Sequence, residues 1–130
     1  MPKKRYIVCL DFDGVVHSYT SPWRGALHIP DEPVPEAFEF MQDCMMAGYD
    51  VVIHSSRARH IFGVWAMRRW LKKHAKERGM WDGHLAPLRR VKFYRMKPPA
   101  VMTFDDRAER FTGLFPTISF IKEFKPWNRK

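Results

Sequence analysis

The chain lacks several features that are typical of other classes of protein. It has 130 residues and only two cysteines, Cys9 and Cys44, and the absence of a Cys-x-x-Cys pair fits a reducing cytoplasm and excludes a zinc site built on such pairs. No apolar run approaches the roughly 18 residues that a membrane span requires. The basic residues 3–5 are followed by a short apolar run, 6–10, that ends in acids, so we expect no export signal and a cytoplasmic protein.

The composition is that of a globular chain. Hydrophobic residues make up 45% of the sequence and charged residues 28%, so the chain has enough apolar surface to form a core and is not expected to be disordered. There is no internal repeat or low-complexity segment. We therefore predict one domain over residues 1–130.

The most informative segment is the apolar run that ends in Asp11-Phe12-Asp13-Gly14. A short apolar run bounded by charged residues and a glycine predicts a buried strand. Asp11 and Asp13 lie on one side of that strand, and a turn at Gly14 brings both carboxylates toward one point. Two such carboxylates repel each other unless a cation lies between them, and hard oxygen ligands suit Mg²⁺.

Two further apolar runs end in polar residues. Residues 51–54 precede Ser55-Ser56-Arg57, and residues 101–104 precede Asp105-Asp106, with Lys97 shortly before that run. Helical spacing of apolar residues predicts a first helix between Pro35 and Gly48 and a second over 61–78, with Ile61 on its apolar face and Gly79 as its stop. A short strand is predicted at 91–94.

Strands that alternate with helices predict an α/β fold. We expect three layers around a mostly parallel, Rossmann-like sheet with right-handed crossovers. In such sheets, ligands bind outside the carboxyl ends of the strands. Asp11, Asp13, Ser55 and Asp105 are all predicted to lie at those ends.

With these motifs in this order, the chain resembles the haloacid dehalogenase (HAD) superfamily of phosphohydrolases over most of its length. The resemblance implies an HAD-like fold and a Mg²⁺ ion held by the Asp11 carboxylate, the Asp13 backbone carbonyl and Asp105. It also implies that Ser55 and Lys97 bind the phosphate. A Ser-Arg pair often follows the phosphate-binding serine in this superfamily, and Ser56 and Arg57 match it as possible site residues. Lys92 is the alternative to Lys97, and Asp106 is either a partner in the metal shell or the cap of a turn.

The residue types also predict a mechanism. Asp11 is expected to attack phosphorus and form a covalent aspartyl phosphate. Asp13 is expected to protonate the leaving alkoxide and then to deprotonate the water that opens the intermediate. The resemblance implies the same two roles, and an acid at position 13 indicates a phosphatase or phosphotransferase. His54, where an apolar residue is usual, is interpreted as a hydrogen-bonded strand histidine.

Residues 17–33 separate the first strand from the first helix. This length is enough for a short β-hairpin flap and too small for a helical cap, so the chain resembles the capless HAD class, whose open sites accept large substrates or are covered by a neighbouring subunit. We expect His17, Tyr19, Trp23 and Arg24 near the leaving group. The alternative is a flap that packs on itself with Trp23 as its anchor.

The net charge of +9 indicates a polyanionic partner or a solvated surface. The basic residues of interest are Arg69, Lys72, Lys73 and Lys76 on the second predicted helix, backed by Trp70 and Trp81, and a later cluster of Arg89, Arg90, Lys92 and Arg95. Two functions follow. The first is a Mg²⁺-dependent phosphomonoesterase acting on small nucleotides or nucleic acid ends. The second is a nucleic-acid-binding or accessory protein with an HAD fold and secondary or lost catalysis.

Overall fold

The computed structural model describes residues 6–83, 86–96, 98, 100 and 102–104. Within these residues, four parallel strands form one sheet in the order β3-β2-β1-β4. The strands are β1 (Ile7–Asp11), β2 (Asp50–His54), β3 (Lys92–Tyr94) and β4 (Met102–Phe104); the α-helices are α1 (Ala37–Met46) and α2 (Gly63–Glu77); and the 3₁₀ helices are Ser56–Arg59 and Pro87–Arg90. The predicted α/β class and order of elements are confirmed. Neither α-helix of this described part is long and apolar enough to cross a bilayer.

The carboxyl ends of the strands form a single edge of the sheet because all four strands are parallel. The central strand β1 pairs with β2 on one side, with Asp11 opposite His54, and with β4 on the other. Backbone pairing continues past the strand ends, where the Phe12 N–H donates to the His54 carbonyl at 3.1 Å and the Ser55 N–H donates to the Tyr94 carbonyl at 3.0 Å. These bonds fix the positions of Asp11 and Ser55 at neighbouring points of the edge.

One face of the sheet packs against both α-helices. The core on this face contains Val8, Leu10, Val51 and Ile53 of the strands together with the buried residues of α1 and α2. Phe38 of α1 meets the ring of Trp70 of α2 edge-on, with ring centroids 5.8 Å apart. The two α-helices of the described residues therefore form one layer, and the second helical layer of the predicted three-layer arrangement stays a prediction.

Helix α2 begins two residues later than predicted, and Ile61 does not belong to its buried face. Ile61 precedes the helix and is 84% exposed, whereas Trp70 is only 5% exposed. The face that α2 buries is formed by Gly63, Ala66, Met67, Trp70, Leu71, His74 and Ala75. Trp70, predicted to back the basic row, lies in the core, where its large ring stabilises the fold by burial and edge contacts, and it lines the same cleft as Arg69 and Lys73.

The segment 17–33 is an irregular loop and not the predicted β-hairpin. Its base is closed by an isolated antiparallel bridge between His17 and Pro33 and by the Ser18 N–H, which donates to the Glu32 carbonyl at 2.9 Å. No regular strand occurs within it. Its prolines lack the N–H donors that a strand ladder needs. Several of its carbonyls instead accept hydrogen bonds from the side chain of Arg57, which lies in the 3₁₀ helix after β2.

Both cysteines are buried. Burial, together with the nearby charge of Asp43, raises the pKa of the Cys44 thiol to about 12. Cys44 therefore behaves as a small apolar group in the core.

Candidate active site

Asp11 and Asp13 lie on either side of a core residue at the end of β1. Phe12 is fully buried and its ring meets Trp70 edge-on at 5.1 Å. Asp11 is the last residue of β1 and lies between the buried Leu10 and Phe12, so its side chain faces away from this core, whereas Asp13 lies in the turn beyond the strand. Their side chains keep an exposure of 20% for Asp11 and 19% for Asp13, so a small ligand can reach both.

The predicted turn at Gly14 is confirmed. Gly14 has a φ of 88°, a conformation that costs a residue with a side chain more than it costs glycine. The turn is held by two backbone bonds, from the Gly14 N–H to the His17 carbonyl at 2.7 Å and from the His17 N–H to the Phe12 carbonyl at 2.8 Å. The chain therefore reverses within six residues and brings His17 back beside Asp13.

His54 lies beside the predicted nucleophile. Its Nδ1 is 3.9 Å from Oδ1 of Asp11, and the same oxygen accepts a hydrogen bond from the Phe12 N–H at 3.0 Å. The pairing of β1 with β2 sets this distance, since Asp11 and His54 are register partners. The pairing of the two strands therefore places the imidazole of His54 next to the Asp11 carboxylate.

Ser55 caps the 3₁₀ helix Ser56–Arg59. It is 2% exposed and extended, and its Oγ accepts a hydrogen bond from the Arg57 N–H at 3.1 Å. A hydroxyl that accepts one bond can still donate its own proton. Ser55 is therefore suited to donate to a phosphate oxygen at the sheet edge, while the side chain of Ser56 is exposed.

Arg57 is the most constrained residue of the site. Its side chain is 1% exposed and forms a bidentate pair with Asp13, in which Nε donates to Oδ2 at 2.9 Å and Nη2 donates to Oδ1 at 3.0 Å. Its Nη1 donates to the carbonyls of Gly25, Ala26 and His28 at 3.2, 2.9 and 3.0 Å. One buried guanidinium therefore joins the predicted acid–base residue to the loop 17–33.

These contacts determine the protonation state of Asp13. Burial by itself raises the pKa of this carboxyl, but the hydrogen bonds from His17 and Arg57 and the charge of Arg57 outweigh it, so the pKa lies below its usual range. Asp13 is therefore held as a carboxylate. A carboxylate is prepared to accept a proton, and it must take one up before it can donate.

The ring of His17 is fixed at both nitrogens. Its Nδ1 is 2.9 Å from Oδ1 of Asp13, and its Nε2 is 3.1 Å from the backbone nitrogen of Asp31. A backbone N–H can only donate, so Nε2 accepts and the proton of the neutral ring is on Nδ1, where it is donated to Asp13. His17 is fully buried and therefore lies behind Asp13, away from the position predicted beside the leaving group.

The aromatic residues of the loop have different surroundings. The ring of Trp23 lies over the Arg57 guanidinium, 4.5 Å from its carbon, and remains 50% exposed. Tyr19 has a positive φ of 54° and is 39% exposed, and Arg24 is exposed. Trp23 thus anchors the loop on Arg57, and the exposed half of its side chain is accessible to a ligand.

Three predicted site residues, Lys97, Asp105 and Asp106, lie outside the described residues. Lys92, the runner-up to Lys97, begins β3 opposite Val52, two positions before the strand end, and is exposed. Among the residues that the structure describes, no group of three or more His, Cys, Asp or Glu side chains could hold a metal ion. The Mg²⁺ site therefore stays a prediction that needs a ligand such as Asp105.

Sequence reasoning missed Asp31 and the role of Trp70. The Asp31 carboxylate accepts bonds from the Thr20 N–H at 2.9 Å and the Ser21 N–H at 2.8 Å, and its backbone carbonyl accepts from Nε1 of Trp70 at 3.0 Å. The bonds from Ser21 and Thr20 lower the pKa of Asp31 to about 2 although desolvation opposes them. Residues 63, 67, 70 and 74 recur at helical spacing and share one face of α2, so this pattern would have indicated that Trp70 is buried. No local pattern in the sequence indicates the role of Asp31.

Comparison with protein-family models, with curated proteins and with solved structures found no match in any of the three.

Proposed function

We propose that this protein is a Mg²⁺-dependent phosphomonoester hydrolase of the HAD type that acts through an aspartyl phosphate. The observation that carries the proposal is the position of Asp11 and Ser55 at adjacent carboxyl ends of parallel strands, with Asp13 held two residues beyond Asp11. A nucleophile, a hydroxyl donor and an acid–base group at one sheet edge are what phosphoryl transfer requires. The order of the motifs along the chain, which resembles that of the HAD superfamily, supports the same reaction.

In the proposed reaction, a carboxylate oxygen of Asp11 attacks phosphorus and the bond to the leaving oxygen breaks. Asp13, after taking up a proton from solvent, supplies it to that oxygen, and Ser55 donates a hydrogen bond to a phosphate oxygen. Asp13, now a carboxylate again, takes a proton from the water that attacks the phosphorus of the aspartyl phosphate, which releases phosphate and regenerates Asp11. The lowered pKa of Asp13 keeps it in the carboxylate form from which this second step starts, and it also makes Asp13 a weaker base.

The predicted Mg²⁺ would be held by the Asp11 carboxylate, the Asp13 carbonyl and Asp105. Two of these three residues lie at the end of β1, and oxygen donors of this kind fit a hard cation. Bound there, the ion would supply positive charge that offsets the repulsion between Asp11 and a phosphate dianion. The predicted Lys97 would add charge next to the same phosphate.

The test is hydrolysis of an aryl phosphate by the purified protein, with Mg²⁺ and after chelation. We expect turnover only with Mg²⁺ or a similar hard cation. Asp11→Asn should reduce turnover by about 10³-fold or more, as removal of a nucleophile does in other enzymes. Asp13→Asn should form the aspartyl phosphate slowly and keep it, which mass spectrometry of the intact protein detects. Asp43→Asn, the same change at an exposed residue of α1, is the control. Activity that survives chelation, or full activity in Asp11→Asn, would overturn the proposal.

A second candidate is a nucleic-acid-binding or accessory protein whose catalysis is secondary or lost. The observation in its favour is that Asp13 is bonded on both oxygens, by Arg57 and His17, so that its donation of a proton is impeded. Against it, Asp11, Asp13 and Ser55 are brought together at one edge of the sheet, in an arrangement that phosphoryl transfer can use. The turnover assay separates the two candidates.

A further inference from the structure

A cleft of about 450 Å³ lies between the loop 17–33 and helix α2. Leu27 and Ile29 line it from the loop, and the residues on the helix side include Trp65, Arg69, Trp70 and Lys73. The volume falls within the range of roughly 300–1,000 Å³ that is typical of ligand sites. None of the described residues that line this cleft is acidic.

The helix side of the cleft combines an aromatic ring with a row of cations. Trp65 is 57% exposed, and the guanidinium carbon of Arg69 is 5.3 Å from its ring centroid. Trp65, Arg69 and Lys73 follow each other at intervals of four residues, so they form one row along α2 that is about 12 Å long. An exposed ring next to a row of positive charges is the arrangement with which proteins bind single strands, since bases stack on the ring and phosphates meet the cations.

The cleft is connected to the candidate active site. Leu27 belongs to the stretch of loop whose carbonyls Arg57 holds, so the guanidinium that binds Asp13 also fixes this wall of the cleft. The ring of Trp70, which also lines the cleft, is 5.5 Å from that of His17, whose Nδ1 is 2.9 Å from Asp13. Helix α2 begins near the carboxyl edge of the sheet and leads away from it. Trp65 lies in the first turn of α2 and Lys73 two turns later, so a nucleic acid strand that lies along this row points toward the edge where Asp11 lies.

We propose that this cleft binds a single-stranded nucleic acid segment, with a base stacked on Trp65 and the backbone along Arg69 and Lys73, so that a phosphorylated strand end reaches Asp11. This proposal rests on the proposed phosphatase function for the role of the strand end, whereas the binding itself does not depend on catalysis. The charge of the cleft and the net charge of +9 favour a polyanion, and the exposed ring favours one that carries flat bases.

The binding test uses a fluorescein-labelled, unphosphorylated single-stranded oligonucleotide and the Asp11→Asn protein without Mg²⁺, followed by fluorescence anisotropy over a range of salt concentrations. We expect Trp65→Ala to weaken binding roughly tenfold and Trp65→Phe to restore most of the affinity, because base stacking needs an aromatic face. Arg69→Ala combined with Lys73→Ala should lower the slope of log K against log salt by about 1.4, as expected for two phosphate contacts on a single strand. Circular dichroism of each variant verifies that it is folded.

The control removes the same number of charges elsewhere: Arg89→Ala combined with Arg90→Ala on the 3₁₀ helix Pro87–Arg90. An equal loss of affinity in this control would overturn the assignment to the cleft. Polyglutamate that competes as well as the oligonucleotide would reject the stacked base, and self-association of the wild type that Trp65→Ala abolishes would assign the cleft to a second copy of the chain.

A turnover experiment distinguishes failure of this proposal from failure of the proposed function. The wild-type protein is given an aryl phosphate and oligonucleotides with a 3′- or a 5′-phosphate. Turnover of the aryl phosphate without oligonucleotide binding would reject the cleft proposal alone. Oligonucleotide binding without any turnover would reject the phosphatase and leave the cleft proposal standing. If both hold, a preference for the 3′ or the 5′ phosphate identifies the end that reaches Asp11.

Discussion

Removal of the Arg57 side chain is the most direct test of how this site is built. In Arg57→Met, the apolar side chain fills part of the space but donates nothing, so Asp13 loses its bidentate partner and the carbonyls of Gly25, Ala26 and His28 lose a donor. Breaking a buried ion pair on one side typically costs about 3–5 kcal/mol. The Asp13 carboxylate that is left behind is 19% exposed and keeps its bond to His17, so the loss should lie toward the lower end of this range.

A loss of this size is large for a small domain. Typical free energies of unfolding are about 5–15 kcal/mol, so Arg57→Met should remove about a fifth or more of the stability. For a chain of this length, the melting temperature should fall by about 10–20 °C. Thermal and urea unfolding at pH 7, followed by circular dichroism, measure the change. Tryptophan fluorescence should shift as well, because Trp23 lies on the Arg57 guanidinium.

The matched control is Arg59→Met, which removes an exposed arginine from the same 3₁₀ helix and should change stability by less than about 0.5 kcal/mol. Combining Arg57→Met with Asp13→Asn tests the cause of the loss. If the cost comes from an unpaired Asp13 carboxylate, the double variant should be more stable than the sum of the single changes predicts, by about 0.5–3 kcal/mol. Equal stability of Arg57→Met and Arg59→Met would refute the reasoning.

Three further predictions concern the same region. Because the pKa of Asp31 is lowered from 3.8 to about 2, its contribution to stability is complete above pH 4 and is lost as the pH falls toward 2. The free energy of urea unfolding should therefore depend less on pH in this window for Asp31→Asn than for the wild type, and identical pH dependence of the two proteins would contradict this. A Cβ at residue 63 would lie 2.6 Å from the carbonyl carbon of Arg57, so Gly63→Ala should melt at a lower temperature than the neighbouring Val64→Ala; equal melting temperatures would count against the close approach. Because Asp13 is held as a carboxylate, it is a poor proton donor, and aryl phosphates need little protonation of the leaving group. Aryl phosphates should therefore be hydrolysed at least tenfold faster than alkyl phosphates, since acid catalysis is worth roughly 10²–10⁴-fold. Equal rates would show that Asp13 donates its proton freely.

The sequence by itself predicted the elements of the fold and the edge at which the candidate site lies. Short apolar runs identified the strands, apolar residues at helical spacing identified the two α-helices, and Gly14 identified the turn after β1. These signals are local, because strand alternation, helical period and the backbone freedom of glycine depend on neighbouring residues only. They were sufficient to place Asp11 and Ser55 at one edge of a parallel sheet.

Only the tertiary structure decided what surrounds Asp13. Arg57 is 44 residues away from it in sequence, and nothing in the local pattern indicates that this arginine is buried or that it bonds the loop 17–33. The local pattern also does not indicate that the buried ring of Trp70 contacts those of Phe12, His17 and Phe38. Contacts between distant segments depend on how side chains fill space and satisfy buried polar groups, and this is settled when the elements pack together.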